Sequence, residues 1–443
     1  MNLSVVLACT TLLAPTQGDS TAASGAARRW WLSGQVNVIY QWHLAFQALY
    51  TGPNSLLPWR EHATSHVATL YTGLLVGRRT EFLLDLESAG GGGISQAFGL
   101  AGFTNLDVVR NPTLGAAPYV ARALVRHTVP LGGGWEAASP GPLALASRLP
   151  VPRLTIVAGK LGLPDFFDLN PAGGDSHLQF LNWTVDNNGA YDYAADTRGY
   201  TIGAVLEFED RIWGARLGEA LMPRVANGID YDWHVATAHA DNLELELHRS
   251  LLAGRPGAIR LLLYDNHANM GSYNEAISAF LSGADPAPDI VAHRRAGRTK
   301  RGIGVNLWQE IGDLRLFGRG GVNDGRVESF AYTEVDQSLQ IGADLTGKSW
   351  RRDQDRIGVA FVSNALGHDH REYLALGGRG FLLGDGRLNY GCEQIVEAYY
   401  TARLWHDLSA AFDLQRIAHP GYNRDRGPAL VLAVRLHLDL QAP

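Results

Sequence analysis

The stretch Leu430-Val431-Leu432-Ala433-Val434-Arg435-Leu436-His437-Leu438-Asp439-Leu440 alternates with period two. Successive side chains of a strand point to opposite faces. One face of this segment is therefore all aliphatic, and the other carries Arg435, His437 and Asp439. A helix would scatter these charges around its surface, so the segment reads as a β-strand.

The pattern recurs upstream. Val396, Ala398, Tyr400, Ala402 and Leu404 share a face opposite Glu393, Glu397, Tyr399, Thr401 and Arg403. Leu408, Ala410, Phe412 and Leu414 alternate with Ser409, Ala411, Asp413 and Gln415. Leu243, Leu245 and Leu247 alternate with Glu244, Glu246 and His248; Ile202, Ala204, Leu206 and Phe208 with Thr201, Gly203, Glu207 and Glu209. Near the start, Val36, Val38, Tyr40 and Trp42 oppose Gln35, Asn37, Gln41 and His43. Roughly sixteen to eighteen such segments occur, many about 8–11 residues long, the length a tilted strand needs to cross a bilayer.

The spacers alternate too. Glu209-Asp210-Arg211 and Trp405-His406-Asp407 read as tight turns, whereas 90–118, 164–199, 272–301 and 364–389 read as long loops. Short turns at one end and long loops at the other belong to a transmembrane antiparallel barrel. A soluble sandwich also alternates, but a sheet this long would expose edges that only closure removes. Trp30, Trp31, Tyr40, Trp42, Trp213, Tyr399, Tyr400 and Trp405 fall near strand ends, as interfacial girdles do.

Composition is compatible with this reading. The net charge of -6 argues against a nucleic-acid binder. No apolar run is long enough for a membrane-spanning helix. The basic residues are nearly all arginine, with lysine only at 160, 300 and 348. Two cysteines, Cys9 and Cys392, allow neither a disulfide framework nor a thiolate zinc site. Leu3 to Pro15 is a short apolar run followed by small residues, so residues 1–26 are expected to be a signal peptide and 27–443 a single barrel domain.

The middle of the chain is more particular. Gly159-Lys160-Leu161-Gly162-Leu163-Pro164-Asp165-Phe166-Phe167-Asp168-Leu169-Asn170 precedes Gln179-Phe180-Leu181-Asn182-Trp183, then Tyr191-Asp192-Tyr193-Ala194-Ala195-Asp196-Thr197-Arg198-Gly199-Tyr200. Together with Asn389-Tyr390-Gly391 and the closing hairpin through His419-Pro420-Gly421, this run resembles the OprB-type carbohydrate-selective porins of Gram-negative outer membranes. The resemblance implies a barrel of about 16 strands with an inward-folded constriction loop. It also implies an outer-membrane location and passive diffusion of mono- and disaccharides.

A sugar channel needs polar walls that replace part of a sugar's hydration without holding it. Guanidinium donates and carboxylate accepts, so candidate pore-lining residues are Lys160, Asp165, Phe166, Asp168, Asn170, Arg198, Glu207, Arg216, Glu393, Glu397, Arg403 and Arg435. Phe167, Trp183, Tyr191 and Tyr193 offer rings for stacking on sugar faces. Asp165, Asp168, Asn170 and Asp175 have oxygens suited to calcium but not the spacing of an EF-hand. Gly174-Asp175-Ser176-His177 is similar to an esterase nucleophile block yet has no partner block. No catalytic residue, metal or cofactor is expected. The expected partners are small sugars and outer-membrane lipid, with monomer and trimer both open. Two rivals are a secreted soluble β protein that binds or hydrolyses carbohydrate, and a barrel-fold hydrolase.

Overall fold

The computed structural model describes residues 29–108, 114–248 and 254–441. The expected signal segment lies outside the described residues. Sixteen strands close into one antiparallel barrel, each paired with its neighbours in sequence. They are β1 (Trp30–His43), β2 (Glu61–Val76), β3 (Thr80–Gly91), β4 (Tyr119–Ala137), β5 (Arg148–Leu161), β6 (Thr201–Glu209), β7 (Trp213–Leu221) and β8 (His239–Leu247). The second half comprises β9 (Gly257–Gly271), β10 (Arg294–Ile311), β11 (Leu314–Asn323), β12 (Gln337–Gly347), β13 (Arg352–Ala365), β14 (Glu393–Arg403), β15 (Leu408–Ala418) and β16 (Ala429–Gln441). Closure comes from β1 on β16, in a register that sets Val38 opposite Leu436 and Gly34 opposite Leu440. No sheet edge remains to template pairing with another chain.

Alternation sorts the side chains as the pattern requires. Leu436 is 48 % exposed on the outer surface, whereas its neighbour Arg435 is 1 % exposed and points inward. Val38, Leu206, Leu245, Val396 and Phe412 likewise face out, with Asn37, Glu207, Glu244, Glu397 and Asp413 buried on the inner side. A continuous outward aliphatic surface suits hydrocarbon rather than water, which disfavours the soluble rival. Two residues depart from the expected aromatic girdle. Tyr399 points inward, 2 % exposed and edge-on to Phe180, and Trp31 donates from its indole to Ser33 Oγ.

Connections alternate in length. Residues 77–79, 210–212, 312–313, 348–351 and 404–407 are turns at one end, where 138–147 is longer; 44–60, 92–108 and 114–118, 162–200, 222–238, 272–293, 324–336, 366–392 and 419–428 are loops at the other. Among the described residues the long loops carry three α-helices: α1 (Trp183–Asp186), α2 (Tyr273–Leu281) and α3 (His368–Ala375). Residues 272–301 are therefore not all loop, because β10 begins at Arg294 and α2 fills part of the rest. Residues 368–370, inside the stretch 364–389 read from sequence as a long loop, open α3 and place His370 fully buried beside Asp336. These loops pack together around Tyr273, Tyr373 and Tyr422 into an outer cap.

The outward band makes a direct prediction. Leu436→Arg places a charge on the lipid face and should cost about 2–4 kcal/mol if the site lies near the midplane. Urea-dependent folding into lipid vesicles measures this, and a cost near zero would mean the faces are misassigned.

Candidate functional site

Residues 162–200 fold into the barrel, and the lumen is shaped by how their backbone is satisfied. A backbone N–H or C=O buried without a partner costs about as much as a lost hydrogen bond. The inward side chains of β8 to β16 supply the partners. Glu397 accepts from the amides of Leu181 (2.5 Å) and Asn182 (3.3 Å). Arg435 donates to the carbonyls of Ser176 (2.6 Å) and Gln179 (3.0 Å). Arg319 reaches the carbonyls of Gly173 and Val185 and pairs with Asp168 at 3.0 Å. Asn306 donates to Asp168, Glu244 accepts from the Asp168 amide, and Lys300 pairs with Asp192 at 3.1 Å. The Asn182 side chain caps α1 by accepting from Thr184 N, and donates to Gln415 on β15.

Pinned to β8–β16, the infolded loop fills that side of the lumen. A cavity of about 400 Å³ remains on the opposite side, against β1 to β4. The wall contributes Gln35, Tyr71, Glu87, Tyr119 and Arg122; the loops contribute Asp107, Asp165, Asp175, His177, Asp186, Tyr193, Asp196, Arg198 and Tyr200. Arg122 grips Asp165 with two 2.7 Å hydrogen bonds and lies 5.3 Å from the Tyr200 ring centre. The Arg198 guanidinium sits 3.7 Å over Tyr119. Tyr119, Tyr200 and Thr69 all donate hydroxyl hydrogen bonds to Glu87. Arg122, braced by Asp165 beside Tyr200, and Arg198, over Tyr119, bring polar edges and ring faces together at the cavity.

Acids dominate the other end. His177 pairs with Asp107 at 3.3 Å and stacks on His437, with ring centres 5.5 Å apart. Burial works against an imidazolium here, but the charge and hydrogen bond of Asp107, with Asp175, together outweigh it and His177 is pushed up to about 9. Burial likewise opposes ionisation of Asp107, and His177 holds its carboxyl below the usual range. Asp186 is pushed up to about 7 by burial, only partly offset by Arg319. Its Oδ1 has no hydrogen-bond partner, and Asp186 belongs to the cavity lining.

The residues proposed from sequence take different places in the structure. Asp165 and Arg198 line the cavity. Glu393, Glu397, Arg435, Asp168 and Asn170 hold loops instead: Glu393 accepts from Ala101 N and Gly421 N, and Asn170 donates to Asn306. Glu207 and Arg216 lie in a buried wall network, where Arg216 reaches Glu209, Glu244 and Glu246 at 2.7–3.0 Å. Phe166 is buried in the core, Arg403 donates to the His406 carbonyl at a turn, and Lys160 donates to the Val120 carbonyl. Among the ring candidates, Trp183 and Tyr193 reach the cavity, whereas Phe167 is fully buried against Gly218 and Tyr191 is buried against Asn242.

The carboxylates considered for calcium are separately engaged, Asp165 by Arg122 and Asp168 by Arg319. Asp175 accepts from its own turn at His177 N and Leu178 N. Tyr71, Glu87, Tyr119, Arg122 and Asp186 are cavity residues that sequence reading missed. Glu87, Tyr119 and Arg122 lie on strands whose alternation a bulge between Asp85 and Leu86 interrupts.

A closed barrel with a polar cavity beside an infolded loop has the architecture of the outer-membrane porin class. The chain belongs to the carbohydrate-selective porins of the OprB family, whose family model matches residues 65–440. It is accordingly a carbohydrate porin of the Gram-negative outer membrane. Among solved structures, the high-pH form of Pseudomonas putida OprB superposes with a TM-score of 0.69 at 15 % identity, covering 93 % of this chain and 94 % of that one. The outer membrane channel DcaP of Acinetobacter baumannii gives 0.50 at 8 % identity, covering 93 % and 97 %. Among curated proteins nothing matches.

Two predictions arise from this geometry. Glu397→Ala leaves the Leu181 and Asn182 amides without their acceptor, at a cost of about 1–3 kcal/mol. Current noise and protease access to residues 162–200 should both rise, while Glu397→Gln, which keeps an acceptor, should lie between. Asp186 is neutral below about pH 7 and negative above it. Cation preference, read as the reversal potential in a KCl gradient, should therefore rise through neutral pH, and Asp186→Asn should flatten the step.

Proposed function

We propose that mono- and disaccharides cross this barrel passively through the passage between the infolded loop and the β1–β4 wall, and that Asp165, Arg122, Arg198, Glu87 and Tyr119 are the groups they touch. The observation that carries this reading is the arrangement in that cavity: paired guanidinium and carboxylate groups beside tyrosine faces. Its volume of about 400 Å³ falls in the range of roughly 300–1,000 Å³ typical of small-molecule sites. A pyranose offers hydroxyls around its rim and C–H groups on its faces. Paired charges exchange hydrogen bonds with the rim, and rings take the faces. Arg122 is already braced by Asp165, whereas Arg198 lies over the Tyr119 ring and its Nη1 has no hydrogen-bond partner, so a neutral solute meets a free donor there.

The channel performs no chemistry in this reading. The Ser176 hydroxyl stands beside Asp175 and His177, but the His177 ring is held by Asp107. Lipid surrounds the outward aliphatic band, in keeping with the porin class.

Sugar block of ion current through single channels in planar bilayers tests the proposal. Glucose and a disaccharide should reduce current in a concentration-dependent way. Arg198→Ala should raise the half-blocking concentration severalfold without loss of barrel assembly, because it removes one cation–ring pair worth about 0.5–2 kcal/mol. No block in the wild type, or the same block in the variant, would contradict the assigned route.

A further inference from the structure

The outer surface of β8 and β9, at the loop end of the barrel, carries polar side chains that the passage does not use. The ladder sets His239 directly opposite His267, and Asp241 directly opposite Asp265. All four face outward, just beyond the aliphatic rows Leu243–Leu245 and Leu261–Leu263. The neighbouring β7 sets Glu219 opposite Asp241, so three carboxylates stand side by side across three strands. Like charges directly opposite in a sheet destabilise it. Arg301 pairs with Asp265 at 2.8 Å, but among the described residues no lysine or arginine lies within ion-pair distance of Asp241 or Glu219.

Two imidazoles and a carboxylate stand where a cation is wanted. The side-chain ligand atoms of His239, Asp241 and His267 all lie within 4.8 Å of one another. The two rings are stacked 4.4 Å apart, and His239 Nδ1 has no hydrogen-bond partner. Torsion about χ2 of histidine is broad, so modest ring rotation turns both nitrogens toward one ion. Thr299 lies across the ladder from His267 and adds no charge. By contrast, the similar group Glu209, Glu246 and His248 is already neutralised by Arg216 and Arg260.

We propose that His239, His267 and Asp241 form a binding site for one divalent transition-metal ion on the outer face of the barrel, clasping β8 to β9 at the loop end. Two imidazoles with one carboxylate favour zinc, copper or nickel over calcium or magnesium, which prefer oxygen ligands. The ion also offsets the Glu219–Asp241–Asp265 row. The site lies outside the lumen, so it is independent of the sugar route.

Calorimetric titration of chelator-treated, detergent-solubilised protein with Zn²⁺ tests this. One ion should bind per barrel, and His239→Ala or His267→Ala should each weaken binding at least tenfold. Asp241→Asn should weaken it less, and His234→Ala, in the adjoining loop, should leave it unchanged. With Cu²⁺ in place of Zn²⁺, electron paramagnetic resonance should show coupling to two imidazole nitrogens. Zn²⁺ should raise the heat-modification temperature of the wild type but not of the histidine variants, whose retained single-channel conductance shows that they fold. Absence of binding in the wild type, or wild-type affinity in both histidine variants, would overturn the proposal.

Discussion

A loop can enter a barrel only if the wall takes up its backbone hydrogen bonds. The Glu397 carboxylate on the amides of Leu181 and Asn182 is the most direct case here. Arg435 does the same for carbonyls from β16, two strands along, and Arg319, Asn306 and Glu244 continue the set around the barrel. Each anchor is a charged or amide group on an inward position of an alternating strand. These backbone anchors lie on β8 to β16, so the loop leans that way and leaves the cavity against β1 to β4. Cavity position thus follows from which strands carry the long polar side chains.

The same rule explains why the fold was legible in the sequence and the passage was not. Leu430 to Leu440 shows its aliphatic and polar faces without any knowledge of its neighbours, and the outer and inner sides of β14, β15 and β16 were readable position by position. What alternation identifies is an inward side chain. It does not say whether that side chain meets water or a loop. Glu393, Glu397 and Arg435 were assigned from sequence to the pore lining, yet they face loop backbone, because a segment more than 200 residues away in the chain folds over Glu397 and Arg435.

The loop block carried more information. Asp165 and Arg198, taken from the resemblance-bearing run, stand on the cavity wall. Their partners Arg122 and Tyr119 lie on β4, where the β3–β4 bulge and the loops on either side weaken the period-two signal. The helical pieces α2 and α3 were missed for a related reason. Each is short and held by packing around Tyr273 and Tyr373 rather than by its own periodicity.

The central claim, that solutes pass between the infolded loop and the β1–β4 wall, is tested most directly by thiol modification during current recording. In a Cys392→Ser background, single cysteines replace Tyr71, which lines the cavity, and Ser338, an inward residue of β12 covered by the loop. A small charged thiol reagent should cut the current through the Tyr71→Cys channel and leave the Ser338→Cys channel unchanged. Block at Ser338→Cys with none at Tyr71→Cys would place the passage on the other side of the loop and contradict the account.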